Sequence, residues 1–259
     1  MRRRPRRGVA LILVLWLVVV LTTISAGVVR AARTSSAIAA NARAGVIARA
    51  AAESGIEALV AEIEDSLAGF ADAADRREWL NALSIGRERD ASTLGDGRFA
   101  VTIVDVSARL DVNAATEPAL RAFFSQFTDP AEAASIARAI RTRIDSGASS
   151  RDATPAFRPL AVTPIRSLDE LHRARLVPDK ILERAAPYLT VDGDGVINQR
   201  TASDTVLVAA TGELRDEPSR LLLISRGWVQ GHPLTCEIQA VYALSGNRLI
   251  FSHWRERSL

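Results

Sequence analysis

The sequence reads RRRPRRGVALILVLWLVVVL over residues 2–21, and this stretch decides how the rest of the chain is organised. Five arginines precede Gly8, and residues 9–29, which follow it, contain no charged side chain. As a helix, residues 9–29 would span about 30 Å, the thickness of the hydrocarbon core of a bilayer. The apolar part of a secretory signal peptide is shorter, about 7–15 residues. The stretch therefore predicts a helix that crosses the membrane once and is retained.

The charges on either side of the apolar run predict its orientation. The five arginines before the run favour a cytoplasmic N-terminus, because basic residues concentrate on the cytoplasmic side of membrane helices. Only two basic residues, Arg30 and Arg33, follow closely after the run. We therefore expect the bulk of the chain to lie outside the cytoplasm.

The net charge argues against nucleic-acid binding. The 259 residues include 33 basic and 30 acidic side chains, a formal charge of +3. Without the five arginines that precede Gly8, the chain has 28 basic against 30 acidic groups, and Lys180 is its only lysine. Phosphate binding needs clustered basic residues. The single cysteine, Cys236, excludes an intrachain disulfide and is predicted to be a small buried apolar residue.

Residues 30–69 predict a continuation of the membrane helix. The segment is rich in alanine, the best helix former, and contains no proline. Its second half repeats apolar residues at positions i, i+3, i+4, i+7 and i+11, which places them on one face of a helix. These residues are Ile56, Leu59, Val60, Ile63 and Leu67. The sequence therefore predicts one long rod, apolar all round over residues 9–29 and amphipathic over residues 30–69.

The arginine-rich leader, the glycine at its end, the apolar stretch and the long helix together resemble the N-terminus of the type IV pilin-like family. The resemblance implies that residues 1–8 are a leader peptide. It also implies that a prepilin peptidase cuts after Gly8 on the cytoplasmic side and that Val9 becomes a methylated N-terminus. The apolar helix would stay in the product.

Two positions depart from the usual pattern of that family. Most members begin the processed chain with Phe and carry Glu at its fifth position, whereas this chain has Val9 and Leu13 there. The missing glutamate resembles the K-type minor pseudopilin of type II secretion systems, which lacks it. The resemblance therefore marks Leu13 as an assembly position.

The rest of the chain predicts an α+β fold, a pilin-like globular domain with strands and an inserted helical, SAM-like region. Residues 98–106, RFAVTIVDV, alternate as a strand does, and Asn113 and Thr116 in the following DVNAAT are typical helix caps. Apolar residues in the helix after them repeat at helical spacing. Three strand-like runs close the chain, and Gly246-Asn247 predicts a hairpin turn between the last two.

A weak internal repeat divides this domain. VINQRT at residues 196–201 echoes DVNAAT at residues 111–116, which places Asn198 at a spacing of 85 residues from Asn113. The predicted divisions are a first SAM-like region with its preceding strand over residues 98–191, and a second repeat-like segment with the C-terminal strands over residues 192–259. The arrangement resembles the two helical lobes of the K-type pseudopilin.

The sequence carries no recognisable catalytic motif, neither GxSxG nor HExxH nor a P-loop, so we predict that the protein is not an enzyme. DGDG at residues 192–195 makes Asp192 and Asp194 weak candidates for calcium ligands. A type I′ hairpin turn is the favoured interpretation of the same residues. Family members bind calcium through an acidic loop, but the corresponding stretch here offers only Asp145 and Asp152. No cofactor is therefore expected.

The resemblance implies a minor pseudopilin at the tip of the type II secretion pseudopilus, which initiates or caps the fibre and so supports protein export. Its implied partners are the I- and J-type minor pseudopilins, the major pseudopilin, the inner-membrane secretion platform and prepilin peptidase. Its implied location is the inner membrane, crossed once, with the globular domain in the periplasm.

Two alternatives stay open. One is a minor pilin of a type IV pilus, which shares the N-terminal features. The other is a membrane-anchored DNA-binding competence protein, whose helix-hairpin-helix needs a Gly-x-Gly turn to grip phosphate. The corresponding turn here, FFSQFTDP at residues 123–130, has no glycine. The second alternative is therefore disfavoured.

Overall fold

The computed structural model describes residues 7–146 and 164–258, so the segment predicted as a leader lies largely outside the described residues. The described chain opens with one unbroken helix, α1, Arg7–Gly69, of 63 residues. At 1.5 Å per residue this helix is about 95 Å long. The predicted continuation of the membrane helix into an amphipathic half is thus present as a single element.

The remaining elements form a sheet domain, which holds the antiparallel strands, and a helical lobe, which we define as residues 110–215. The sheet domain contains α2 (Ala73–Leu83), β1 (Ile85–Glu88), β2 (Ser92–Leu94), β3 (Gly97–Asp105), β8 (Arg220–Val229), β9 (Thr235–Ser245) and β10 (Arg248–Ser258). The lobe contains β4 (Leu110–Asp111), α3 (Glu117–Phe124), α4 (Pro130–Ser146), α5 (Leu168–Arg173), α6 (Asp179–Ala185), β5 (Leu189–Thr190), β6 (Ile197–Asn198), α7 (Asp204–Leu207) and β7 (Leu214–Arg215).

The strands of the sheet domain pair antiparallel in the order β1-β3-β8-β9-β10, with β2 also paired to β3. The three strand-like runs at the end of the sequence are β8, β9 and β10. Gly246 and Asn247 connect the last two, and Gly246 has the positive φ of 59° that such a turn requires of its first residue. The predicted hairpin is therefore confirmed.

The second half of α1 packs across this sheet and supplies its core. The apolar face predicted from helical spacing is buried, with Leu59, Ile63 and Leu67 at most 2% exposed. Gly227 of β8 lies directly under the helix, where an added Cβ would come within 2.1 Å of the Ala48 carbonyl oxygen. Helix and strand therefore approach so closely at this point that only glycine fits.

The helical lobe has a core of its own, separate from the core under α1. Phe123 and Phe124 are fully buried there and their rings meet edge to face, with centroids 5.1 Å apart. Ile140 and Leu171 from the next helices complete the packing. Thr116 caps α3, since its hydroxyl accepts a hydrogen bond from the Ala119 N–H at 3.3 Å. Residues 146–164 are polar and rich in proline and serine, which predicts a loop, and they fall almost entirely outside the described residues.

A local turn at residues 111–116 recurs at residues 198–203, a spacing of 87 residues, whereas the letters of the sequence repeat match at a spacing of 85. Asp111 and Asn198 each end a two-residue strand. In each, a side-chain oxygen accepts a hydrogen bond from the backbone N–H two residues ahead, and the backbone carbonyl accepts one from the N–H four residues ahead. The residues five positions on, Thr116 and Ser203, begin helices with matching φ and ψ of −72°, 161° and −73°, 160°. The counterpart of Asn198 is therefore Asp111, since the repeat preserves backbone geometry while the asparagine occurs at different positions within it.

The favoured interpretation of DGDG as a hairpin turn is wrong. Leu189–Thr190 pairs parallel with Leu110–Asp111, and Ile197–Asn198 pairs parallel with Leu214–Arg215. The strands on either side of residues 192–195 therefore never pair with each other. The reason is that each belongs to a different half of the repeat and finds its partner within that half.

The lobe leaves the sheet at the end that is farthest from the apolar first half of α1. β3 starts at Gly97, where an added Cβ would lie 3.0 Å from the Ala51 side chain of α1. It ends at Asp105, whose N–H donates a hydrogen bond to the carbonyl of Ser84. Ser84 follows the last residue of α2 in the chain. Since residues 110–215 are inserted between the end of β3 and the start of β8, the chain enters and leaves the lobe at this end of the sheet.

Candidate functional site

The first half of α1 presents apolar side chains to its surroundings on every side. Its most apolar part has a mean hydropathy of 2.7 and is not buried against any other element. Among the described residues, one helix, α1, is long and apolar enough to cross a membrane. The large exposed side chains are Leu11, Ile12, Leu13, Val14, Leu15, Trp16, Leu17, Val18, Val19, Val20, Leu21, Ile24, Val28 and Val29.

The few polar groups in this segment are compatible with lipid. The Thr22 hydroxyl donates to the Val18 carbonyl at 2.7 Å, and the Thr23 hydroxyl donates to the Val20 carbonyl at 2.8 Å. Each hydroxyl proton is thereby paired within the helix, which removes the cost of leaving a donor unsatisfied in hydrocarbon. These threonines do not prevent the helix from spanning a bilayer.

The three N-terminal positions singled out from the sequence lie close together on α1. Gly8 and Val9 are in its first turn, and Leu13 follows about one turn later with 66% of its surface exposed. An exposed leucine here can contact either lipid or another helix. The geometry thus places the predicted cleavage and assembly positions at one end of an unpartnered apolar helix.

The two weak calcium candidates are both paired with arginine. Asp192 is buried and its carboxylate contacts the guanidinium of Arg255 and, at 3.1 Å, Nε2 of His253. One carboxylate oxygen of Asp194 lies 3.5 Å from the Arg220 guanidinium. In the part of the chain that the structure describes, no group of three or more His, Cys, Asp or Glu side chains could hold a metal ion. Asp192 ties the lobe to β10.

The acidic loop implied by the resemblance to the K-type family falls partly outside the described residues. Asp145 is described and accepts a hydrogen bond from Arg141 at 2.9 Å, one turn earlier on α4. Asp152 lies outside the described residues. What the structure shows of this stretch is therefore an ion pair on an exposed helix face.

A buried carboxylate that the sequence analysis missed joins the sheet to the second half of the repeat. Asp105 is 2% exposed and accepts hydrogen bonds from the Asn198 amide at 2.7 Å, the Thr201 hydroxyl at 2.6 Å and the Ser107 N–H at 2.7 Å. Burial raises the pKa of Asp105 above its usual range, and the three hydrogen bonds offset part of that rise. An aspartate at the end of an alternating strand is the one sequence signal that could have marked it.

Asn113 works as a connector between distant segments and does not cap a helix. Its side-chain oxygen accepts the Ile165 N–H at 2.8 Å, while its amide donates to the carbonyls of Ile165 at 3.0 Å and Val191 at 3.3 Å. The side chain therefore holds together three parts of the lobe. This explains why a polar residue stands next to the buried Val112.

The single cysteine is buried, as its sequence context predicted. Cys236 is 6% exposed on β9, and burial raises the pKa of its thiol to about 11. A thiol with this pKa is almost entirely protonated at neutral pH and is a poor nucleophile. The residue therefore packs as a small apolar group.

Comparison with known proteins shows a similarity to solved structures but not to curated sequences. The sequence matches no protein-family profile and no curated protein. Among solved structures, it is similar to a chain in the crystal structure of the GspK–GspI–GspJ complex from the type 2 secretion system of enterotoxigenic Escherichia coli. This protein has the fold of that chain. The match has a TM-score of 0.60 and 15% identity, and it covers 87% of this chain and 99% of the other.

The relative confirms the predicted fold class. The match covers 87% of this chain, in which the structure shows a long helix, an antiparallel sheet and an inserted helical lobe. At 15% identity the likeness shows fold and not function. The α+β, pilin-like architecture read from the sequence is therefore correct, and the role has to be argued from the surfaces of this chain.

Proposed function

We propose that this protein is a K-type minor pseudopilin at the tip of a type II secretion pseudopilus. In this role it is anchored once in the inner membrane, carries its globular domain in the periplasm and supports export across the outer membrane by initiating or capping the fibre. The role requires packing and assembly and no catalytic step. Its supports are the pilin-like fold, the unpartnered apolar helix and the position of the helical lobe.

The placement of the lobe is the observation that carries the tip assignment. A subunit inside a helical fibre needs room above its globular domain for the next subunit. Here residues 110–215 are attached at the membrane-distal end of the sheet, where β3 ends at Asp105 beside Ser84. A bulky lobe attached at that end fits the tip position of a fibre, because it hinders the placement of another subunit above it.

The proposed partners follow from the same fold. The similar chain was crystallised in a complex of GspK, GspI and GspJ, so the I- and J-type minor pseudopilins are the first candidates here. The major pseudopilin and the inner-membrane secretion platform would meet the apolar helix. Prepilin peptidase would cut between Gly8 and Val9 on the cytoplasmic side.

The full-length protein, expressed in its own host, tests the proposal. N-terminal mass spectrometry should find Val9 as the first residue, methylated. Deletion of the gene should abolish secretion of type II substrates and leave type IV pilus functions intact. Co-purification should recover the I- and J-type pseudopilins. Loss of pili with normal secretion would identify a pilus component instead, and a mature N-terminus near Gly27 would contradict the pilin-like assignment.

A further inference from the structure

An apolar groove runs between the second half of α1 and the edge of the sheet. We call it the β10 groove; it has a volume of about 270 Å³ beside Phe251 and Trp254. A second depression of about 310 Å³ continues it towards the membrane, beside Val46 and Leu234. The first part is lined by Glu53, Ile56, Glu57, Ile238, Ala240, Tyr242, Phe251 and Trp254.

Large apolar side chains along this groove are exposed, whereas the domain buries other large apolar side chains in its two cores. Val46 is 70%, Phe251 55% and Trp254 44% exposed. In a domain with two well-packed cores, aromatic and branched side chains on one line of the surface mark an interaction site. From residue 42 to residue 57 the groove follows α1 for about 22 Å, about four turns of helix.

The sheet edge beside the groove is built against the addition of a strand. β10 is the last strand of the sheet and carries an extra residue, Ser252, between the pairs Phe251–Tyr242 and His253–Val241. This bulge puts Phe251 and Trp254 on the α1 face. Bulges and charged side chains on an edge oppose pairing with a further strand. The occupant therefore contacts side chains and leaves the backbone of β10 unpaired.

The charges around the groove define what the occupant must carry. Arg49 separates the two depressions and is already engaged, 2.9 Å from Glu53, 3.6 Å from Glu256 and over the ring of Trp254 at 5.8 Å. Glu57, in contrast, is exposed and has no ion-pair partner among the described residues. Its carboxylate also faces Tyr242, where it helps raise the pKa of that phenol after the larger effect of burial. The apolar floor with an acidic rim fits a partner with an apolar ridge and a basic side chain beside it.

We propose that the β10 groove binds an α-helix of a neighbouring pseudopilin, laid alongside α1, with an arginine or lysine opposite Glu57. This inference rests on the proposed function and names the surface through which the minor pseudopilins associate. The groove begins at residue 42 of the same unbroken helix, separated by 12 residues from the apolar stretch of residues 9–29, so a neighbour's long helix that packs on that stretch and stays parallel to α1 reaches the groove. The two helices then lie side by side from the membrane into the periplasm.

The test uses the full-length protein co-expressed with the I-type minor pseudopilin of the same organism and purified in detergent. Phe251→Asp and Glu57→Arg should each lower the recovered partner at least tenfold. Ile85→Asp, on the opposite edge at 70% exposure, is the matched control and should change recovery less than twofold. Thermal melts of all variants should match the wild type, and Glu57→Arg keeps the test informative should Phe251→Asp unfold.

Cysteine cross-linking identifies the occupant. In a Cys236→Ala background, Val46→Cys is paired with cysteines scanned along the partner. Cross-links that recur every three to four residues indicate a helix and support the proposal. A two-residue period would indicate a strand and overturn it, as would cross-linked homodimers or wild-type recovery with both groove variants. If the wild-type protein co-purifies with neither the I-type nor the J-type pseudopilin, the proposed function is wrong, and the groove proposal, which rests on it, is wrong as well.

Discussion

Asn198 donates a hydrogen bond of 2.7 Å to the buried carboxylate of Asp105, across 93 residues of sequence. The same amide also donates to the side-chain oxygen of Asn81 at 2.7 Å, so one residue of the lobe is bonded to both β3 and α2. The contact fixes the second half of the repeat to the distal end of the sheet. In the proposed role of the lobe as the cap of the fibre, the hydrogen bond between Asp105 and Asn198 holds the lobe in position.

Asp105→Asn should destabilise the globular domain. The carboxylate accepts three hydrogen bonds, and an amide in its place would turn a donor towards at least one of those donors. Each buried donor left without an acceptor costs about 1–3 kcal/mol. The melting temperature of the full-length protein, followed by tryptophan fluorescence in detergent, should fall by several degrees. Asp65→Asn, exposed on α1, is the control and should leave it unchanged.

Asp111→Asn should have the opposite effect at neutral pH. Asp111 is 6% exposed, and burial raises its pKa above the usual range. Its counterpart in the repeat is Asn198, which makes the same hydrogen bond two residues ahead, so an asparagine fits the backbone. The variant removes a buried charge without losing that bond. A gain of 1 kcal/mol would raise the melting temperature by about 2–4 °C.

The pH dependence separates this explanation from a general packing effect. A carboxyl group whose folded pKa is raised contributes stability below its unfolded pKa, near 3.8, and loses it as the pH rises through the folded value. The advantage of Asp111→Asn should therefore be absent below pH 3.8 and grow above it. An advantage that is the same at every pH would contradict the role of the buried charge.

Gly227→Ala and Gly45→Ala should change stability in opposite directions. A Cβ on Gly227 would lie 2.1 Å from the Ala48 carbonyl oxygen and 2.5 Å from the Ala52 nitrogen, so α1 would have to move off the sheet. A Cβ on Gly45 meets nothing within 4 Å, and alanine is favoured over glycine inside a helix by about 1 kcal/mol. Chemical denaturation should show a large loss for the first variant and a small gain for the second. Equal effects would mean that the helix does not seat on β8 at this point.

Local patterns predicted the long helix and the C-terminal strands because their causes are local. Alanine content, the absence of proline and helical spacing determine α1, and alternation with a glycine turn determines β9 and β10. The register of the repeat was missed because the letters match at Asn113 and Asn198, whereas the geometry matches at Asp111 and Asn198. The strands around residues 192–195 were misread for a related reason: their partners, Leu110–Asp111 and Leu214–Arg215, are not their sequence neighbours.

Leu13→Glu tests whether the apolar residue at this position belongs to a tip subunit. In the pilin-like family, the glutamate found at this position pairs with the N-terminal ammonium of a neighbouring subunit. A subunit that enters the fibre first has no subunit ahead of it to supply that ammonium, so a glutamate there would stay unpaired. A charge at the centre of a bilayer costs about 2.5–3.5 kcal/mol and less towards the interface. Leucine, 66% exposed on α1, is stable in lipid and against another helix.

We therefore expect Leu13→Glu to reduce co-purification of the full-length protein with the I- and J-type pseudopilins and to reduce secretion. Leu13→Gln, which has nearly the same shape and no charge, should have a smaller effect and isolates the contribution of the carboxylate. The melting temperature of the globular domain should be unchanged in both, because Leu13 lies 31 residues before Ala44, where burial of α1 against the sheet begins. If the glutamate variant assembles and secretes as the wild type does, a neighbour must supply a charge to pair with it. A subunit with such a neighbour ahead of it does not occupy the tip.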